Sequence, residues 1–276
     1  MTLAIAVATA DGIVVAADSR TTFNPTDHPQ RVLSDFTHKV FRVGNCAVAT
    51  YGFAFLLGRN VAGHMATLAG QVANDDLPPN EMAERIKGYF GDLLEQHFAA
   101  GNDERPPPGG DVLGFLVGGY EGPSARVYDV TLPTAGIMCV TPDGVGAGWR
   151  GQTDVLARVL FGLDLGSVDL VLRDKRGRLK ARDTALLQRL SDLSPLTQYI
   201  VLFDGMNLQD AVDFAFFAIR TTIDVQRLTY GIAGKPGSWP GVGGPIEIAA
   251  VTALDGFSWV QQTVLQGERP AGIAEV

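Results

Sequence analysis

The sequence predicts an α+β fold in which antiparallel strand pairs and helix pairs stack as layers. Three observations carry this. Two turn signals, Asp11-Gly12 and Gly44-Asn45, each lie between apolar, β-prone runs near the start of the chain. Two helical periodicities then follow one another directly, over 54–72 and after Pro78-Pro79-Asn80, before strands resume at Val112. A further helix from Asn207 precedes a closing hairpin between Ile246 and Val260. Adjacent helices followed by strands favour layers over a doubly wound sheet, where helices and strands would alternate singly.

The elements follow in order. Leu3 to Ala10 and Ile13 to Ala17 form a hairpin, and Asp-Gly suits a type I′ turn with positive φ at both centres. Thr2 then begins one strand and Asp18 ends its partner, so the two should be neighbours. After a polar loop holding Pro25 and Pro29, Lys39 to Val43 and Cys46 to Thr50 form a second hairpin, stopped by Tyr51-Gly52. Ala54, Leu57, Val61, Met65, Leu68 and Val72 recur at helical spacing, as do Met82, Ile86, Tyr89, Leu93 and His97 or Phe98. Val112 to Tyr120 and Ala125 to Val130 are strands around Glu121-Gly122-Pro123, and a short strand pair brackets Pro142-Asp143-Gly144. Gln152 to Phe161 and Thr184 to Leu193 are helical. The charged run from Arg173 to Arg176 is read as a solvated face. Asn207 and Asp210 have capping-box spacing, 229–244 is a loop rich in Gly and Pro, and Asp255-Gly256 turns the last hairpin.

With 276 residues, 46% of them hydrophobic, the chain can bury a sizeable core, and no linker or repeat divides it. A single domain over 2–266 is expected, with insertions at about 163–206 and 229–243 and a loose tail over 267–276. The net charge of −8 argues against nucleic acid or an anionic membrane as partner. Cys46 and Cys139 sit in apolar runs and are expected as buried thiols, and no metal-ligand spacing occurs. No cofactor is expected. Without a signal peptide or an apolar run of membrane-spanning length, the expected location is the cytoplasm. His28, His38, His64 and His97 are scattered, and Gly231 to Lys235 lacks P-loop spacing.

The segment Thr2 to Arg20, followed by Lys39-Val40-Phe41-Arg42-Val43 and Ala49-Thr50-Tyr51-Gly52, resembles the β-type subunits of the proteasome and their bacterial proteasome-like relatives, the N-terminal-nucleophile (Ntn) hydrolases. The resemblance extends over roughly Thr2 to Val260. It implies a four-layer αββα sandwich, with two antiparallel sheets between helix layers. It also implies a threonine-type endopeptidase that acts on peptides or unfolded protein and assembles as a homo-oligomeric ring or open ring, with an unfoldase partner left open.

The chemistry is sound at the level of residue types. A threonine hydroxyl is a weak nucleophile unless a base takes its proton. If Met1 is removed, Thr2 carries that base itself, because an α-amine titrates near 7.7–8.0. The resemblance assigns Lys39, held by Asp18, to the nucleophile's side, Gly52 to the oxyanion hole, Asp224 to the end of the long helix, and Arg20 to structural support. The substrate pocket is expected near Thr21, Thr37, Thr50 and Ala54. Two positions depart from the family pattern: Ala147 stands where a serine lies between glycines, and Val242 precedes Gly243-Gly244 where a serine is usual, with Ser238 in the same loop. The alternatives are an Ntn amidohydrolase acting on a small amide, its site capped by the insertions, and a catalytically silent ring subunit.

Overall fold

The computed structural model describes residues 2–23, 31–107, 110–134, 136–173, 178–232, 235–236 and 240–264. Met1, Pro25, Pro29, His28, Ser238, the charged residues 174–176 and the tail beyond 264 lie outside the described residues.

The chain begins with strands β1 (Leu3–Ala8), β2 (Ile13–Asp18), β3 (Thr21–Phe23), β4 (Arg31–Ser34), β5 (Val40–Val43), β6 (Cys46–Gly52), β7 (Phe55–Leu56) and β8 (Arg59–Asn60). Helices α1 (Val61–Gln71) and α2 (Pro79–Ala99) follow, then β9 (Leu113–Glu121), β10 (Ser124–Leu132), β11 (Gly136–Cys139) and β12 (Gly146–Gly151). Next come α3 (Asp154–Phe161), α4 (Leu165–Leu172), α5 (Ala181–Thr197) and α6 (Leu208–Leu228). The pairs β13 (Gly231–Ile232) with β14 (Lys235–Pro236), and β15 (Ile246–Thr252) with β16 (Gly256–Gln261), complete the order.

The result is a mixed α+β fold built on two antiparallel five-stranded sheets, ordered β12-β1-β2-β15-β16 and β11-β10-β9-β6-β5. Period-two alternation splits β1 between two cores. Leu3, Ile5 and Val7 share a buried cluster with Leu156 and Leu160 of α3 and Ala211, Ala215 and Ile219 of α6. Ala4, Ala6 and Ala8 share another with Ala47, Ala49 and Leu116 of the other sheet. Both faces of β1 and β2 are therefore covered, which explains why their sequences run continuously apolar instead of alternating. A third cluster joins Met65 and Leu68 of α1 and Ile86, Phe90 and Leu94 of α2 to Val48, Phe115 and Val117.

Five expectations are corrected. The first hairpin forms, but its loop is Thr9 to Gly12, closed by Thr9 N–H donating to Gly12 C=O at 2.8 Å, with Ala8 opposite Ile13. Gly12 is absent from the positive-φ residues; it is small because a Cβ there would stand 2.9 Å from the Val251 carbonyl. The periodicity over 54–72 begins too early. Leu57 (φ 50°) and Gly58 (φ 75°) turn the β7–β8 hairpin, and α1 starts only after Asn60, whose side chain accepts from Gly63 N–H at 2.7 Å. Two consecutive left-handed residues cannot continue a right-handed helix. The strands around Pro142 to Gly144 do not pair with each other: β11 pairs with β10 and β12 with β1, so this turn crosses between sheets. The 163–206 segment holds the helix expected around Thr184 to Leu193 as α5, with an additional helix, α4, ahead of it, and the 229–244 loop contains the short β13–β14 ladder.

The capping box at Asn207 and Asp210 forms from both sides. Cys46 and Cys139 are both free thiols; Cys46 is buried, which pushes its pKa up to about 12, but Cys139, expected to be buried, is only half-buried on the short strand β11. Among the described residues no helix is long and apolar enough to cross a membrane.

Candidate active site

The site is assembled where the ends of β1 and β2 meet the start of β5. Because β1 and β2 are antiparallel with Ala4 opposite Ala17, Thr2 and Asp18 come to the same edge of the sheet. Thr2 is 4% exposed. Its carbonyl accepts from Gln152 N–H at 2.7 Å, and the next N–H, that of Leu3, donates to Asp18 Oδ1 at 3.0 Å. The β12 strand runs so close that a Cβ on Gly151 would stand 1.9 Å from the Thr2 carbonyl oxygen, and Gly151 has φ 93°. Gly151→Ala is expected to destabilise the fold by about 1–3 kcal/mol from backbone strain alone, with the clash in addition. Urea denaturation measures it, and an unchanged midpoint would mean that β12 can withdraw from Thr2.

Asp18 is fully buried, and four N–H donors converge on it. Oδ1 accepts from Leu3 N–H and from Lys39 Nζ at 3.2 Å, while Oδ2 accepts from Arg20 N–H at 3.1 Å and Gly243 N–H at 3.0 Å. This is the arrangement a buried carboxylate needs, since each oxygen replaces its lost water with charge-assisted bonds. Lys39 Nζ also donates to the Arg20 carbonyl. Burial pushes the Lys39 ammonium below the ordinary lysine range, and the Asp18 carboxylate opposes that push.

Arg20 forms a bidentate pair with Asp35, Nε to Oδ1 at 2.6 Å and Nη2 to Oδ2 at 3.0 Å, and its Nη1 donates to the Pro240 carbonyl at 3.2 Å. The Asp35 carboxylate raises its pKa above the usual arginine value. The Gly243-Gly244 pair fits around this knot. A Cβ at 243 would stand 2.5 Å from the Arg20 guanidinium carbon, and one at 244 would stand 2.2 Å from the Asp35 carbonyl oxygen.

A cavity of about 390 Å³ opens beside these groups. Thr2, Lys39 and Gly52 line it, as do Arg20 and the four residues expected there from sequence, Thr21, Thr37, Thr50 and Ala54. Thr21 Oγ1 donates to Thr37 Oγ1 at 2.8 Å, and Thr50 N–H donates to the Lys39 carbonyl at 2.9 Å, so the hydroxyl-bearing wall is tied to the lysine strand. Gly52 has φ 93° and packs so that a Cβ would meet the Val112 carbonyl oxygen at 2.2 Å. Only glycine fits there, whatever else its N–H does.

The far side of the site differs from the expectation. Asp224 is not among the residues lining the cavity; its carboxylate is held by Arg220 at 2.8 and 2.9 Å on the surface of α6. Those contacts hold the Asp224 carboxyl below its usual range. Ala147 pairs with Val7, well along β1 from Thr2, and packs into the α6 core. The residue beside Thr2 is Gln152. Its side chain accepts from Gln226 Nε2 at 3.0 Å, and Gln226 Oε1 accepts from Val242 N–H at 3.0 Å, which links Thr2, α6 and the Gly243 loop. The described residues of 163–206 are absent from the cavity wall, and some pack on α3 and α6 instead, through Tyr199 N–H to the Leu160 carbonyl and Phe203 against Phe214.

Sequence reasoning missed Gln152, Gln226, His38 and Glu247. For Glu247 a signal existed: an acid inside the apolar strand Ile246-Glu247-Ile248-Ala249-Ala250. For the two glutamines there was none, because their partners are 74 and 16 residues away.

No family model matches the sequence, and no curated protein matches it. Among solved structures, the chain is similar to the Gly-1 mutant of Anbu from Hyphomicrobium sp. strain MC1, with 15% identity and a TM-score of 0.49 over 95% of this chain and 86% of that one.

Proposed function

We propose that this chain is a threonine-type peptidase of the Ntn-hydrolase kind, with Thr2 as nucleophile once Met1 is removed, acting on peptides or unfolded protein and working as a homo-oligomer. The observation that carries the reading is the shared cavity: Thr2, Lys39 and Gly52 line one wall system, with the buried Asp18–Lys39 pair behind it. The three buried clusters, helix on sheet, sheet on sheet and sheet on helix, support a four-layer αββα reading of the architecture.

In the proposed reaction the Thr2 hydroxyl oxygen attacks the scissile carbonyl carbon while its proton passes to the Thr2 α-amine, directly or through one water. The protonated amine then gives that proton to the departing nitrogen, leaving an ester on Thr2. Water adds to the ester, its proton returns by the same route, and the acid product leaves with the hydroxyl restored. The Lys39 ammonium, beside this centre, lowers the amine's proton affinity and favours the developing oxyanion, to which Gly52 N–H donates.

Intact mass tests the premise. The purified protein is expected to lack the mass of Met1 and to gain one adduct from a peptide epoxyketone, which needs both the free amine and the hydroxyl of an N-terminal threonine. Full retention of Met1 would remove the base and sink the proposal. Labelling at Thr2 without hydrolysis of any peptide would favour the small-amide reading.

A further inference from the structure

A second buried carboxylate binds the backbone of Lys39. Glu247 is fully buried in β15, whose other residues up to Val251 are core. Its Oε2 accepts from Lys39 N–H at 2.9 Å and from Val40 N–H at 3.2 Å, and its Oε1 lies 2.5 Å from His38 Nδ1. One side chain thus grips three consecutive residues, 38 to 40, at the start of β5. His38 in turn lines the cavity. A carboxylate at the centre of a sheet is strongly unfavourable without such partners, and a neutral side chain could have filled the same space.

We propose that Glu247 is a positioning residue for Lys39: it holds the backbone from which the lysine extends and adds a second buried negative charge near that residue, with His38 joining Glu247 to the cavity wall. The proposal rests on the reading of Lys39 as part of the catalytic group. A residue that only capped the start of β5 would need hydrogen-bond acceptors but no charge, so the charge is what distinguishes the two roles. Burial opposes the charged form of Lys39 most, and among the described groups Asp18 and Glu247 favour that form while Arg20 opposes it. A free Thr2 amine would join them after Met1 removal.

The test is a titration of the lysine side chains by NMR on isotope-labelled full-length protein. The chain holds five lysines, Lys39, Lys87, Lys175, Lys180 and Lys235, and the Lys39 signal is assigned by its loss in Lys39→Met. Glu247→Gln retains the shape and a carbonyl acceptor but removes the charge. The Lys39 titration is expected to move to lower pH while the other four stay in place. The alkaline limb of kcat/KM should move with it, and kcat/KM should fall up to about 100-fold, as for a reacting group displaced by about an ångström. Glu247→Asp keeps the charge but draws it back, so a smaller displacement in the same direction is expected; this variant serves if Glu247→Gln does not fold. An unmoved Lys39 titration in a folded variant overturns the inference, even where Thr2 still labels. Conversely, a Lys39 signal that responds to Glu247 in a protein that never labels at Thr2 sinks the catalytic reading and leaves the Glu247–Lys39 coupling standing.

Discussion

Thr2→Ala is expected to lower peptide hydrolysis by at least about 10³-fold while leaving the fold intact. The magnitude follows from what is removed. The alanine variant retains the α-amine, the cavity and Gly52, but it has no hydroxyl to form the ester, and losing a nucleophile leaves only the contribution of binding and oxyanion stabilisation. Stability should change little, because among the described residues Thr2 is held through its backbone carbonyl, which accepts from Gln152 N–H. Thr2→Ser is the informative companion: it keeps both amine and hydroxyl, so it should retain epoxyketone labelling and measurable turnover. Peptide hydrolysis assays with intact-mass analysis check both variants. Unchanged activity in Thr2→Ala would end the mechanism outright.

Asp18→Asn is expected to remove activity and to destabilise the protein by about 3–5 kcal/mol, the range for breaking one side of a buried ion pair. The geometry explains why so small a change matters. Donors approach both carboxylate oxygens: Leu3 N–H and Lys39 Nζ at Oδ1, Arg20 N–H and Gly243 N–H at Oδ2. An amide offers one acceptor oxygen and one NH₂ group. In either orientation, two N–H donors then face another donor, and the Lys39 ammonium loses its nearest counter-charge. The variant should therefore loosen the Gly243 loop and the Lys39 side chain together. Urea denaturation measures the stability term, and the rate of Thr2 labelling measures the functional one. A stable Asp18→Asn protein that labels at the wild-type rate would show that the four-donor cluster is incidental.

The legible part of the site is the part that is close in sequence. Thr2 and Asp18 are brought together by one hairpin, a local signal in residue type, whereas Lys39 reaches Asp18 from the start of β5 in the other sheet and was legible only through the motif that carries the resemblance. Thr21, Thr37, Thr50 and Ala54 fall on the cavity wall because they lie close in sequence to motif residues, Thr21 to Asp18, Thr37 to Lys39, and Thr50 and Ala54 to Gly52. The illegible part comes from sheet pairing across the chain. That Gln152 holds Thr2, that Gln226 ties α6 to the Gly243 loop, and that Asp224 faces Arg220 outward all depend on how β12 and α6 pack against β1. The helical period over 54–72 misled for a different reason. Ala54 and Leu57 satisfied the spacing, but the backbone at Leu57 and Gly58 adopts positive φ to close a hairpin clamped by His97 Nδ1, which accepts from Leu57 N–H at 3.0 Å.

By itself, the sequence determined which residues could do chemistry at the N-terminal arm and that strands and helices would come in pairs, because both follow from residue type, short-range turns and hydrophobic period. Tertiary structure alone decided what surrounds that arm. It sent β11 and β12 to different sheets, gave Thr2 a glutamine neighbour, turned Asp224 outward, and placed Glu247 behind Lys39. A buried charge is tolerated only where partners from distant strands converge on it, and that convergence is a property of the packed sheets.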